Sequence, residues 1–69
     1  MKIFNPLYYK MLTRKIKGKQ IAEYLNCTPP TFSRKLKGLY EFTAYDIRKI
    51  AEYMKLSNDE IIEIWFSQN

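Results

Sequence analysis

The chain is expected to be all-α, a compact five-helix domain containing a helix-turn-helix, and three features of the sequence lead there. Apolar residues recur at three- and four-residue spacing. Capping residues and glycines punctuate those runs at short intervals. No low-complexity tract, internal repeat or linker interrupts the 69 residues, so residues 1–69 read as one domain. A domain this small buries only about 60% of the surface of its unfolded chain, which makes its core thin. With 46% hydrophobic and 28% charged residues the composition is that of a folding chain.

The first helix is expected over about 6–16. Asn5 is a good N-cap, Pro6 is preorganised for the first helical position, and Tyr8, Met11, Leu12 and Ile16 follow at helical spacing toward a stop at Gly18. A second helix of barely two turns, 19–25, carries Ile21, Ala22 and Leu25 on one face. Asn26 tolerates the left-handed conformation of a turn. Thr28 can then cap a third helix, 29–37, because Pro29 forces the residue before it to be extended. Pro29 and Pro30 begin this helix instead of breaking it, since the first helical positions need no amide donor. Phe32 and Leu36 form its inner i,i+4 pair, and Gly38 ends it.

Thr43 with Asp46 is a variant capping box for the fourth helix, 44–55, with Ile47, Ile50, Ala51 and Met54 inward. Ser57 with Glu60 caps the fifth, 58–67. That helix carries Ile61, Ile62, Ile64, Trp65 and Phe66, too many apolar residues for one core-facing stripe at 100° per residue. On such a winding Ile61 pairs with Trp65 and Ile62 with Phe66, while Ile64 lies apart. The surplus marks Ile62, Trp65 and Phe66 as a dimer interface.

Several functional classes are excluded by what the chain contains. A single cysteine, Cys27, forms no internal disulfide, and with no histidine there is neither a zinc pattern nor a base to activate a thiol. Asp59 and Glu60 are explained by capping and the helix dipole, Tyr8, Phe32, Phe42 and Trp65 by the core. The protein is therefore not expected to be an enzyme, and no cofactor, metal or small-molecule ligand is expected. Lacking a signal-peptide pattern or a membrane-length apolar run, it is expected in the cytoplasm, without a membrane partner.

The net charge of +5 is unevenly spread. Residues 1–40 hold nine Lys/Arg against Glu23 alone, a net +8, whereas residues 41–69 hold three against six acids, a net −3. A basic half beside an acidic half points to a polyanion that meets the first half only. Two short helices joined by a tight turn, the second starting at a capped Thr and ending at Gly, outline a helix-turn-helix. Arg34, Lys35 and Lys37 lie on that second helix, away from Phe32 and Leu36.

These residues also resemble the Cro and lambda-repressor-like regulators, the xenobiotic-response-element type of helix-turn-helix protein. Lys19-Gln20-Ile21-Ala22-Glu23-Tyr24-Leu25 is similar to the family's first motif helix, and Thr31-Phe32-Ser33-Arg34-Lys35-Leu36-Lys37-Gly38 to its recognition helix and closing turn. Glu41-Phe42-Thr43, Ile47-Arg48-Lys49-Ile50-Ala51 and Leu56-Ser57-Asn58-Asp59-Glu60-Ile61 resemble its later helices, in the same order. The resemblance implies that helix 29–37 enters the major groove of duplex DNA, with Thr28, Pro29, Pro30, Thr31, Ser33 and Arg34 facing bases. It implies phosphate contacts by Lys17, Lys19, Lys35, Lys37 and Tyr40 and by the amides near Thr43 and Ala44.

The chain departs from the family pattern at three places. Gly18 stands where a Gln is frequent, Asn26 where the turn usually has Gly, and Pro29 and Pro30 where base-reading polar side chains often sit. Proline can touch a thymine methyl but offers its side chain neither donor nor acceptor, so reading shifts to Thr31, Ser33 and Arg34. The expected function is that of a small dimeric transcriptional regulator, a phage or mobile-element repressor. Its rivals are an antirepressor-like protein-interaction module that keeps the fold, which the proline pair favours, and an RNA-binding protein.

Overall fold

A computed structural model describes residues 5–66, and every regular element in them is helical. The order is α1 (Asn5–Thr13), α2 (Gly18–Tyr24), α3 (Pro29–Leu36), α4 (Ala44–Met54) and α5 (Asn58–Ile61), the last running directly into a π-helical segment, Ile62–Phe66. The α2 helix packs on α3 and α4, and α1 closes against the π-helical segment. Leu7, Met11, Ile21, Ala22, Leu25, Phe32, Leu36, Ile50, Met54 and Ile64 make one buried cluster to which every helical run except α5 contributes.

Local chemistry accounts for where most helices begin. The Thr28 hydroxyl accepts from the Thr31 amide at 3.4 Å, with Pro29 and Pro30 in the two positions between. Thr43 and Asp46 form a reciprocal box: the Asp46 amide donates to Thr43 Oγ1 at 3.1 Å and the Thr43 amide to Asp46 Oδ2 at 3.0 Å. Ser57 and Glu60 repeat it, with distances of 3.0 and 3.2 Å.

Helix ends follow a single device. Asn26 is left-handed at φ 59°, the Cys27 amide reaches back to the Ala22 carbonyl at 2.9 Å, and the Asn26 amide to Glu23 at 3.1 Å. That is a Schellman closure. Gly38 at φ 85° closes α3 in the same way, with Leu39 on Arg34 and Gly38 on Lys35. Lys15 at φ 55° closes α1, with Ile16 on Met11, and Lys55 at φ 57° closes α4, with Leu56 on Ala51. Ile16, Cys27 and Leu56, each following a left-handed residue, fold back onto the core.

Several expectations are corrected. The first helix ends at Thr13, not at 16, because Lys15 takes the left-handed turn that Gly18 was expected to provide. Gly18 instead opens α2, where an added Cβ would touch the Phe32 ring at 3.4 and 3.5 Å. Asn5 lies within α1 instead of serving as its N-cap. The inner face of α1 is Leu7 and Met11, and Leu12 is exposed. Ile64, expected to lie apart, is fully buried: three residues from Ile61 it falls on the same side of the helix, and the core takes that side, leaving Ile62 and Phe66 exposed. Residue 67, the expected end of the fifth helix, lies outside the described residues.

A left-handed lysine costs about 1–2 kcal/mol relative to a residue without a Cβ. Among the described residues Lys55 has no ion-pair partner to lose. Lys55→Gly is expected to raise stability by about 0.5–1 kcal/mol, and Lys55→Val to lower it, as read from urea midpoints at constant m.

Candidate nucleic-acid interface

The α2–turn–α3 unit is held from below by Phe32, whose ring lies against Gly18 at the start of α2 and edge-on to Phe42, centroids 6.4 Å apart. Phe42 in turn meets Trp65 edge-on at 5.8 Å. With Phe32 and Leu36 buried, the opposite side of α3 faces solvent: Pro30, Arg34 and Lys37 are exposed there and Pro29 at the helix start, with Thr31 and Ser33 half-buried. Lys17 and Lys19, which flank Gly18 at the start of α2, are both exposed.

Ion pairing decides which of the cations remain available. Lys10 lies 3.3 Å from Glu60 and 3.5 Å from Glu63, and Arg14 donates to Glu60 at 3.0 Å, so Lys10 of α1 and Arg14 just beyond it are spent on the C-terminal acids. Lys49 is held by Glu52 at 3.8 Å and by the rings of Tyr24 and Tyr45. Among the described residues Lys17, Lys19, Arg34 and Lys37 have neither an ion pair nor a side-chain hydrogen bond. Lys15, Arg48 and Lys55 are likewise unpaired, so four of the seven unpaired cations among the described residues lie on α2 and α3 or at the residues that flank them.

Two residues expected at phosphates are engaged elsewhere. The Lys35 ammonium is bound to the Asp46 carboxylate, with only 15% of the Lys35 side chain exposed, because α4 begins directly beside the last turn of α3. The Thr43 amide already donates to Asp46, which leaves the Ala44 amide as the nearer donor at the start of α4. Tyr40 is half exposed, as is its neighbour Leu39, a residue that sequence reasoning passed over. Lys15 was passed over too: exposed on its left-handed turn, it extends the run formed by Lys17 and Lys19, and that run was its signal. The Thr28 and Thr31 hydroxyls are hydrogen-bonded to each other at 2.9 Å, so one of their two protons remains to be donated.

Burial pushes the Asp46 carboxyl up, but the Lys35 ammonium and the amide and hydroxyl of Thr43 together outweigh it and hold the group below its ordinary range. Glu60 is lowered from 4.5 to about 2, first by the Ser57 amide and then by Arg14 and Lys10, against a smaller opposing effect of burial. Burial raises the Cys27 thiol despite the nearby Lys35, which keeps it protonated and unreactive. No cluster of three or more Cys, Asp or Glu among the described residues could hold a metal ion, and none of their helices is long and apolar enough to cross a membrane.

The expected dimer residues divide. Phe66 is 68% and Ile62 50% exposed, whereas Trp65 is half-buried against Phe42. Phe66 borders an open groove between α4 and the C-terminal helix, lined by Ala44, Ile47, Ala51, Leu56 and Ile61. Compared with protein-family profiles, curated proteins and solved structures, the chain gives no significant match to any of them.

Both carboxyls are depressed in the folded state, so the stability they contribute is present above their unfolded values and is lost as pH falls through the folded ones. The urea midpoint is expected to hold from neutrality to about pH 5 and to fall between 4.5 and about 2. Glu60→Gln should flatten part of that fall, measured as the difference in midpoint between pH 7 and pH 3.

Proposed function

We propose that the protein binds duplex DNA as a homodimer, with α3 in the major groove, and regulates transcription in the manner of a small phage or mobile-element repressor, by occupying a site. The observation that carries this reading is the placement of unpaired charge. Arg34 and Lys37 stand on the outward face of α3, Lys17 and Lys19 stand exposed at the start of α2, which packs on α3, and Lys10, Arg14 and Lys35 of the basic half are neutralised within the fold.

Arg34 is the principal reader, since its planar fork can bond guanine O6 and N7 together. Ser33 and the free proton of the Thr28–Thr31 pair supply further polar contacts, and exposed Pro29 and Pro30 offer apolar surface to thymine methyls. Lys17, Lys19, Lys37, Tyr40 and the Ala44 amide hold phosphates and set register. With so few base-reading groups, most of the affinity is electrostatic and sequence preference is modest. Ile62 and Phe66 provide the apolar contact of the dimer, and two-fold pairing sets two α3 helices on successive turns of the groove, about 34 Å apart.

A second reading, protein contact of the antirepressor kind, draws on the same face, where Pro29, Pro30, Leu39 and Tyr40 are all exposed. Selection from a random duplex pool, with structured RNA as competitor, separates the readings. No retained duplex at low salt favours protein contact, and preferential displacement by RNA favours an RNA target.

On a selected duplex, Arg34→Ala is expected to weaken binding by about 1–3 kcal/mol and to relax preference at one base pair. Lys37→Ala should weaken all duplexes alike and reduce the log–log salt slope by about 0.9. Duplex titrations across a salt series decide this, and wild-type behaviour by both variants removes α3 from the interface. Sedimentation equilibrium at micromolar concentration should show a dimer that the double variant Ile62→Gln, Phe66→Gln converts to monomer. A wild-type protein that stays monomeric with and without DNA refutes the dimer.

A further inference from the structure

We infer that Lys35 and Asp46 form a positioning pair that sets the roll of α3, and that Lys35 itself meets no phosphate. This rests on the duplex-DNA reading above. Among the buried residues of α3 only Phe32 and Leu36 are apolar anchors, an i,i+4 pair lying on one line along the helix. Two anchors on a line hold a helix down but resist rotation about that line poorly. Lys35 lies to one side of it, about 100° around from Leu36, and its ammonium is tied to Asp46.

Asp46 is a fixed point for such a tie. It is the third residue of α4, its side chain is 8% exposed, and the oxygen that receives Lys35 also accepts the Thr43 amide at 3.0 Å. One carboxylate oxygen thus joins the first turn of α4 to the last turn of α3. Withdrawing Lys35 toward a phosphate would leave this buried carboxylate without its counter-charge, which opposes the exchange. A roll of 10–20° is enough to carry Arg34 and Lys37 out of productive geometry, so the pair controls groups that it does not touch.

The test uses three full-length variants on the tightest duplex recovered from a random pool, with circular dichroism at the assay temperature to establish folding. Lys35→Met retains the packing of the stem without the charge; Asp46→Asn retains an acceptor for the Thr43 amide; Lys35→Arg keeps the ion pair. Lys35→Met is expected to weaken binding about fivefold or more while leaving the salt slope at the wild-type value. Asp46→Asn should weaken it as well, although that change removes a negative charge from a protein facing a polyanion, and Lys35→Arg should stay within about twofold of wild type. The inference is overturned if Lys35→Met lowers the slope by about 0.9 as Lys37→Ala does, if Lys35→Met binds as wild type, or if Asp46→Asn binds more tightly. Should Lys35→Met fail to fold, Asp46→Asn, which preserves the cap, decides alone. A wild-type protein that binds no duplex removes the DNA reading, and the inference with it, and is told apart by that control.

Discussion

Burial of Phe32 is the constraint on which the remainder of the domain rests. Its ring meets the start of α2 at Gly18 and the α3–α4 connection at Phe42, and through Phe42 it is linked to Trp65 in the C-terminal segment. Once Phe32 is inside, helical geometry dictates what is outside. Arg34 lies about 200° around the helix from it, and Pro30 and Lys37 share the outward half. The chemistry offered to a partner is thus a by-product of where one aromatic ring is buried.

The charge pattern illustrates what a sequence can and cannot disclose. Summing charges by halves locates the basic end, and five of the seven unpaired cations among the described residues lie there, with Arg48 and Lys55 in the other half. It could not disclose that Lys10 and Arg14 would be matched to Glu60, 46 positions beyond Arg14, or that Lys35 would be matched to Asp46, because those partners are set by the docking of one helix on another. The acidic half is accordingly less a separate surface than the counter-charge of the basic one.

The same division runs through the backbone. The caps at Thr28, Thr43 and Ser57 and the left-handed turns at Asn26 and Gly38 were legible, because each is decided within a few residues by side chains suited to the conformation. Lys15 and Lys55 were not, since nothing in a lysine favours positive φ and only the packing of Ile16 and Leu56 behind them makes it worthwhile. Ile64 escaped because only the i,i+4 pairs were followed, although it stands at i,i+3 from Ile61 on the side that the core takes. The exposed face of α3, with Arg34 and Lys37, was legible from the Phe32/Leu36 spacing. The loss of Lys35 from it was not, since Asp46 reads locally as a cap and only the fold makes it a partner.

The shortness of the helices carries one last consequence. At 9, 7, 8 and 11 residues, α1 to α4 are each below the length at which a helix persists in water by itself, so none has an existence independent of the others. Melting α3 would expose Phe32 and Leu36 and thereby dismantle the cluster that supports α2 and α4. The domain accordingly has no low-energy excursion in which α3 frays while the scaffold survives, and its loss and regain are all-or-none. With neighbouring helices joined by short turns, that transition belongs to the microsecond-to-millisecond range of small helical proteins.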